Sequence, residues 1–297
     1  MGSREVSWEL LQFGVAGLKN GAIYALVALG FTIVYASTNV INFAQGEFYM
    51  LGGMFATFVF AHLGLPLGLA AVAAVVATAA TAVVFELLAV RPRVGGDPMT
   101  IIIVTVGGSV LLRSLARHAF GSDELALPAF SQGGSIMVGG AAIDRQTLWV
   151  WGIAALAVAA LWVLYTRTRL GRAMRATAVD GEAARLVGID TRLLVTVSFG
   201  LAAVLGAVAG LVVTPLTQTA YDVGAAIGLK GFAAAILGGL GNPVAAVVGG
   251  IVLGLLESLS VAFISSTYKD AIALAVLLLV LFLRPSGLLG RTRREKV

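Results

Sequence analysis

The chain has 297 residues, of which 59% are hydrophobic and only 12% charged, and its mean hydropathy is +0.98. A soluble protein of this size needs far more charge to cover its surface, so the composition predicts an all-α integral membrane protein with several spans. The formal net charge of +5 does not indicate nucleic-acid binding, because the excess arginine lies in loops between apolar segments and in the tail.

The composition gives little indication of a catalytic site or a metal site. The absence of cysteine excludes disulfides, thiolate metal sites and cysteine nucleophiles. The two histidines, His62 and His118, lie near predicted span ends, and neither an HExxH nor a GxSxG motif occurs. We therefore predict no catalytic residue and no metal site, with a membrane enzyme or scaffold as the least favoured alternative. The first apolar run also lacks the features of a cleavable signal, since Lys19 and Asn20 interrupt it.

Apolar segments of a length suited to a bilayer recur along the chain. A hydrocarbon core of about 30 Å requires about 20 helical residues to cross it. The candidate segments are 10–36, 43–63, 67–90, 98–118, 147–165, 193–215, 226–240, 244–264 and 269–284. Because 226–240 is short and glycine-rich and 10–36 is interrupted, we expect a polytopic helical bundle of eight or nine membrane segments, not all of them full spans. The whole chain, 1–297, is expected to form one transmembrane domain.

Polar side chains enter the membrane region between the first two segments, at Asn39, Asn42, Gln45 and Glu47. An ionisable side chain at membrane depth costs several kcal/mol unless it is paired or faces water. The segment is therefore either a broken or re-entrant helix that lines a solute path, or a cytoplasmic turn in which Glu47 serves the first turn of the following helix. The first interpretation is favoured slightly.

Loop charges assign the sides of the membrane. Arg91 and Arg93 predict a cytoplasmic loop, because positively charged loops are retained on that side. The polar 119–146 loop carries a single basic residue, Arg145, and is expected to be extracytoplasmic. The basic tail, 284–297, is expected to be cytoplasmic.

The loop 166–192 holds six arginines between two apolar runs and is predicted to be cytoplasmic. Asp180 can cap a short helix, Glu182 lies in its first turn near the positive dipole end, and Gly188 can end it. This pattern predicts a helix of one or two turns that is presented to the cytosol. Such an element suits the docking of a partner protein.

The second half carries a counterpart to the polar segment. Thr214 and Gln218 end one apolar run, and the short segment 228–243 is rich in glycine, so we expect a broken or re-entrant helix here as well. Lys230 is interpreted as a cation that reaches the interface, with a role in the path as the alternative. Glycine pairs such as Gly206/Gly210 and Gly250/Gly254 are typical of close helix packing.

Four blocks resemble the permease subunit of branched-chain amino acid ABC importers (the LivH-type family). They are NGAIYALVALGFTIVYASTNVINFAQGEFYMLGG (20–53), GRAMRATAVDGEAARLVGID (171–190), GLKGFAAAILGGLGNPVAAVVGGIVLGLLE (228–257) and RPSGLLG (284–290). Glu182, Ala183 and Ala184 followed by Gly188 also resemble the start of the EAA–xxx–G loop of ABC importer permeases. The Ile-x-Leu-Pro that ends the full signature is absent, so contacts are not transferred from loops that carry it.

The resemblance implies a bacterial inner-membrane subunit with a cytoplasmic C-terminus. It implies as partners a second related permease chain (LivM-like) or a second copy, two cytoplasmic ATPase subunits and an extracytoplasmic binding protein. ATP and Mg²⁺ would be bound by the ATPase subunits, since this chain has no P-loop and needs no cofactor of its own. The expected path residues are Asn39, Asn42, Gln45, Glu47, Thr214 and Gln218. The expected coupling residues are Arg172, Arg175, Asp180, Gly181, Glu182, Ala183, Ala184, Arg185 and Gly188.

The solute is the least determined property. Members of the family carry branched-chain amino acids most often, whereas relatives carry urea, amides or aromatic carboxylates. The mostly neutral path residues suit any of these. A self-contained secondary transporter or channel is the alternative outside this class.

Overall fold

The computed structural model of the chain describes residues 3–94, 96–138, 140–284 and 287–290, so residues 291–297 of the expected basic tail lie outside it. These residues form α-helices and one small antiparallel hairpin, β1 (Ile136–Val138) and β2 (Ala141–Ile143). A π-helical turn (Glu86–Val90) and a 3-10 turn (Arg91–Arg93) continue the third α-helix. The helices are α1 (Ser3–Thr38), α2 (Gln45–Leu63), α3 (Leu67–Phe85), α4 (Pro98–Phe120), α5 (Arg145–Arg167), α6 (Arg169–Val179), α7 (Gly181–Leu186), α8 (Thr191–Thr217), α9 (Val223–Gly238), α10 (Pro243–Phe263) and α11 (Lys269–Leu283).

The architecture is that of a polytopic helical membrane protein. Among the described residues, six helices are long and apolar enough to cross a membrane: Trp8–Thr38, Leu67–Arg93, Pro98–Phe120, Arg145–Arg167, Thr191–Thr217 and Pro243–Phe263. Helix length therefore supports six crossings, fewer than the eight or nine segments expected. Each of the expected segments is nevertheless helical over most of its length, and Lys19 and Asn20 do not interrupt α1.

The centre of the bundle is the antiparallel pair of α1 and α10. Glycines of the two helices face each other, so the backbones approach without intervening side chains. A methyl group added at Gly254 would collide with the backbone of Gly21, and one added at Gly250 would collide with Ala25. Small residues permit such close contact in lipid, where apolar burial gives helices little reason to associate. The predicted packing role of Gly250 and Gly254 is confirmed.

A second close contact joins α2 and α8, which run parallel. Gly206 and Gly210 of α8 lie against the α2 backbone at Phe48 and Tyr49, which confirms the packing predicted for this pair. Further along, Gly53 of α2 faces the hydroxyl of Thr214. The α2 helix therefore keeps its register against α8 from its first turn onward.

The first turn of α2 lies partway along α8 instead of at its end. Gln45 contacts the carbonyl oxygen of Ala202, which lies eleven residues, or about 16 Å, after the start of α8. The same side chain fills the space beside Gly30 of α1. Since α1 continues for two more turns beyond Gly30, the non-helical residues 39–44 return alongside these turns. The chain between α1 and α2 therefore turns back within the depth of the bundle.

The bundle has two distinct ends, here called the hairpin end (β1 and β2) and the arginine end (α6 and α7). The start of α1 belongs to the hairpin end, because Gln12 exchanges hydrogen bonds with the backbone of Ala142 at 2.9 and 3.2 Å. The last described residues belong to the arginine end. There the Leu288 and Leu289 amides donate to the carbonyl oxygens that close α9, and Gly290 lines a cavity together with Arg175.

Candidate functional site

Glu47 lies in the first turn of α2 and is almost completely buried, with 1% of its surface exposed. Its Oε1 accepts a hydrogen bond from Ser109 Oγ at 2.8 Å and forms an ion pair with Arg113 Nη2 at 3.0 Å, both from α4. Burial of a carboxylate is tolerated when it is paired and hydrogen-bonded in this way. The position in a first turn matches one expectation for Glu47, but its burial against α4 argues against an exposed cytoplasmic turn.

The amides of the 39–45 segment have mainly local partners. Asn42 is buried, and its Oδ1 accepts from the Ala44 amide at 3.1 Å, which closes an Asx turn before α2. Gln45 is buried as well, and its Nε2 donates to the Ala202 carbonyl oxygen at 2.9 Å. Asn39 is exposed and adopts a positive φ of 54°, a conformation that asparagine tolerates better than most residues. These residues therefore shape the link between α1 and α2.

Thr214 and Gln218 differ in their surroundings. Thr214 is buried, and its hydroxyl donates to the Gly210 carbonyl oxygen of the preceding turn at 2.8 Å. Gln218 follows α8 with a positive φ of 59° and lines a cavity of about 330 Å³ together with Tyr24, Lys230 and Glu257. Gln218 therefore borders a cavity, whereas Thr214 is packed against α2.

Helix α9 contacts residues near both groups of expected path residues. Its first turn meets that of α2, since Gly224 lies against Gly46 and the Glu47 carboxylate. Gly224 and Gly228 line a cavity that also holds Arg113, whereas Ala226 and Lys230, from other faces of α9, line the cavity of Gln218. Of the six expected path residues, Gln218 lines one of these two cavities, and Glu47 lies against Gly224, which borders the other. Asn39, Asn42, Gln45 and Thr214 line neither of the two.

Lys230 does not extend to the interface as expected, because it is paired within the bundle. Its Nζ lies 2.8 Å from Glu257 Oε1, and Tyr24 Oη donates to Glu257 Oε2 at 2.5 Å. The ammonium group also lies 5.7 Å from the centre of the Tyr24 ring. Three helices, α1, α9 and α10, thus meet at one buried charged cluster.

Four residues of these buried clusters were not among those expected from the sequence: Ser109, Arg113, Tyr24 and Glu257. A usable signal existed for Arg113 and Glu257, because each is a charged residue inside an apolar segment, and such residues mark functional or paired positions by default. Ser109 and Tyr24 gave no comparable signal, since hydroxyl residues are common in membrane helices.

The short helix of the arginine loop forms as predicted. Asp180 Oδ1 accepts hydrogen bonds from the Glu182 and Ala183 amides, each at 3.0 Å. At the other end, the Gly188 amide donates to the Arg185 carbonyl oxygen and the Ile189 amide to that of Ala184. This is a Schellman motif with Gly188 at a φ of +85°, which glycine adopts without strain.

The surface of this element combines charge with exposed apolar groups. Ala184 faces inward and is 3% exposed, whereas Glu182, Ala183 and Arg185 are exposed. Arg172 and Arg175 are exposed on α6. Val179, Leu186 and Val187 expose 78%, 89% and 76% of their surface. Exposed apolar side chains surrounded by charged residues are typical of a protein interface. The charge pattern of the sequence did not indicate these exposed apolar residues.

Charged pairs buried between apolar helices, together with an exposed loop element, are typical of membrane transport proteins. Residues 15–281 match the family model described as branched-chain amino acid transport system, permease component, and the chain belongs to this family.

Relatives match nearly the whole chain. The high-affinity branched-chain amino acid transport system permease protein LivH of Escherichia coli (strain K12) is 36% identical over 295 residues, which cover 95% of this chain and 96% of that protein. The permease protein BraD of Pseudomonas aeruginosa, from a system of the same description, is 35% identical, with coverage of 98% and 99%. Among solved structures, a chain of PsaBC from Streptococcus pneumoniae in complex with Fab matches 95% of this chain at 14% identity and a TM-score of 0.49.

Proposed function

We propose that this chain is the permease subunit of a binding-protein-dependent ABC importer for branched-chain, hydrophobic amino acids. The similarity to LivH over 95% of the chain carries this proposal. The chain would form half of the translocation path and catalyse no reaction itself. ATP and Mg²⁺ would be bound by two separate cytoplasmic ATPase subunits.

The proposal extends to the arrangement in the membrane. We place the chain in a bacterial inner membrane as one transmembrane domain, with the 166–192 loop and the C-terminus in the cytosol and the 119–146 loop outside. The shorter helices α2, α9 and α11 would complete a set of eight or nine membrane segments. In support, α2 starts partway along α8 and α9 starts beside it at Gly46, so each half contains a helix that begins inside the bundle. Discontinuous helices of this kind line transport sites in other transporters.

The partners follow from the same proposal. A second related permease chain (LivM-like), or a second copy, would supply the other half of the path, and an extracytoplasmic binding protein would deliver the solute. The exposed surface of α6 and α7 would receive an ATPase subunit. Its apolar residues suit an interface core, and its capped helix suits the transfer of a rigid-body movement to α5 and α8.

Coupling is tested by charge reversal on α7. We expect Glu182→Arg and Arg185→Glu to separate ATP hydrolysis from uptake, because both side chains are exposed on the proposed docking surface. The complex is reconstituted with its ATPase subunits and binding protein, and ATP-driven uptake of labelled leucine is measured beside ATPase activity. The control is Glu9→Arg, an equal charge change near the start of α1 at the hairpin end. Wild-type uptake in both α7 variants would remove this helix from the mechanism.

The solute is tested through the binding protein, which selects it. We expect leucine to raise the melting temperature of the cognate binding protein, whereas urea, amides and aromatic carboxylates should leave it unchanged. A shift with aromatic carboxylates or amides alone would overturn the assignment of substrate and retain the importer class.

A further inference from the structure

A cavity of about 330 Å³ lies between α1, α4 and α9, and it combines an aromatic wall with one guanidinium group. Its volume is at the lower end of the range for small-molecule sites, so it suits a solute of a few heavy atoms. Phe31, Phe43 and Phe232 form the aromatic wall, and Arg113 and Ser109 supply the polar part. The ring centre of Phe232 lies 5.7 Å from those of both other phenylalanines.

Arg113 indicates that this cavity is not filled by acyl chains. Its side chain is 33% exposed, although it lies within the apolar helix α4, about two turns before its end, with Val106 and Val110 exposed on the same side. A charged side chain in a membrane helix faces the interior of an assembly or water, because exposure to hydrocarbon is costly. The exposed part of Arg113 therefore meets water or a bound group.

The positive groups beside the cavity favour an anion over a cation. Glu47 balances Arg113, and its carboxylate also lies against Gly224, where the first turns of α2 and α9 meet and each carries partial positive charge. Asp222, at the start of α9, makes no side-chain cap bond and is exposed. Arg113 Nε and Glu47 Oε2 are both buried without a partner among the residues that the structure describes. The exposed part of the Arg113 side chain, together with the two helix starts, favours a carboxylate.

We propose that this cavity is a solute-binding site for a small apolar amino acid, with the solute carboxylate at Arg113 and its side chain against the three phenylalanine rings. The proposal rests on the proposed importer function and adds the site and the chemical features that the chain recognises. Glu47 and Ser109 are positioning residues, because Glu47 pairs with the guanidinium group of Arg113 and Ser109 donates a hydrogen bond to Glu47. The phenylalanine wall disfavours urea and other solutes that lack an apolar part, since it offers them no hydrogen bonds.

The cavity on the other side of α9 also contains cations, Lys230 and Lys269, but its lining differs. Lys230 is already engaged by Glu257 and Tyr24, so binding an anion to it would require this buried cluster to open. Asn20, Gln218 and Glu257 make that lining more polar than the phenylalanine wall beside Arg113, so it suits an apolar side chain less well.

Cysteine accessibility tests the site directly, because the chain contains no cysteine. Val110→Cys places one thiol at the cavity, and Val72→Cys places one on the exposed side of α3 as a matched control. Both are made in the complete complex in nanodiscs and treated with a hydrophilic maleimide. We expect labelling at position 110 and none at 72. We further expect leucine to slow the labelling severalfold, and leucinamide and urea to leave it unchanged.

A pair of variants then assigns the carboxylate contact. Arg113→Gln alone leaves the buried Glu47 without its partner and can prevent folding. The double variant Glu47→Gln/Arg113→Gln removes both charges and should still assemble with the ATPase subunits, as size-exclusion chromatography would show. In the Val110→Cys background it should raise the leucine concentration for half-protection about tenfold or more, as expected for loss of a hydrogen bond to a charged group.

The outcomes separate this site from the importer function. If position 110 is not labelled in a complex that imports leucine, or if leucinamide protects as well as leucine, the site is wrong and the importer function stands. If protection by leucine is unchanged in the double variant, the carboxylate contact is refuted. If the unaltered complex shows no ATP-driven leucine uptake, the proposed function itself fails.

Discussion

Arg113 and Glu257 are charged residues inside apolar segments, and each belongs to a buried ion pair among the residues that the structure describes. Each is compensated by a side chain from another helix: Arg113 by Glu47 of α2, and Glu257 by Lys230 of α9. Taking charges out of water is expensive, and the cost is recovered only when both partners and further hydrogen bonds are present. The two pairs therefore connect α2 with α4 and α9 with α10 in a way that depends on both members.

We expect the single variants Glu257→Gln and Lys230→Met each to lower the stability of the folded complex more than the double variant does. Each single change breaks the buried ion pair while keeping one of its two charges, and should cost about 3–5 kcal/mol of stability. The double variant removes both charges and should recover most of that loss. Thermal unfolding of the detergent-purified complex, followed by size-exclusion chromatography, measures this. Equal losses in the double and single variants would contradict the pairing as the source of stability.

The shortest helix, α7, depends on its ends, because six residues are too few for a helix to persist in isolation. Asp180 satisfies two amides at the start, and the Schellman motif at Gly188 satisfies the last carbonyl groups. The long helices of the bundle depend on packing instead. The same chemical change at a cap should therefore have different consequences in the two kinds of helix.

We expect Asp180→Ala to loosen α7 by about 1 kcal/mol, the usual cost of losing an N-cap. In the reconstituted complex it should reduce the stimulation of ATPase activity by the loaded binding protein. Asp190→Ala is the matched control. Asp190 caps α8 with the same two-bond geometry, but α8 has 27 residues and is held by packing. If both variants lower stimulation equally, the cap of α7 has no special role.

The close contact between α1 and α10 predicts that a side chain added at their interface lowers stability. A methyl group at Gly254 would collide with the backbone of Gly21, which cannot move aside without separating the two helices. Gly254→Ala should therefore cost more than the about 1–3 kcal/mol that is usual for overpacking by a flexible side chain. Gly152→Ala, in the middle of α5, meets no atom within 4 Å and should be neutral. Yields of folded protein from fluorescence-detected chromatography distinguish the two, and an intact Gly254→Ala protein would contradict the close contact.

For the whole molecule, we expect the two ends of the bundle to lie on opposite sides of the membrane and to be labelled from opposite sides. Met137→Cys at the hairpin end should react with an impermeant maleimide added to intact cells, since Met137 is 66% exposed. Leu186→Cys at the arginine end, where Leu186 is 89% exposed, should react only after the cells are opened. This expectation follows from the arginine distribution, which favours the cytosol for α6 and α7. Labelling of Leu186→Cys in intact cells would reverse the orientation and remove the surface proposed for the ATPase subunits.

The helices and the short helix of the arginine loop could be predicted from the sequence, because the features that indicate them are local. Apolar length, the cap at Asp180 and the glycine pairs depend on neighbours within a few residues, so each could be interpreted without the fold. The number of membrane crossings was less certain, because α2, α9 and α11 are short and their depth depends on the helices around them. The partners of Glu47 and Lys230 could not be predicted from neighbouring residues, because Arg113 and Glu257 lie 66 and 27 residues away along the chain.

The amino-acid sequence by itself determined that this is a helical membrane protein with a capped helix in an arginine-rich loop, because hydropathy, charge and capping act over short distances. The tertiary structure alone decided which buried charges are paired, and that α9 divides the polar interior into two cavities. Ion pairs and cavities form between segments far apart in the chain, and their geometry is set by how closely glycine lets the helices approach. That geometry, rather than the list of polar residues, selects Arg113 as the proposed contact for a solute.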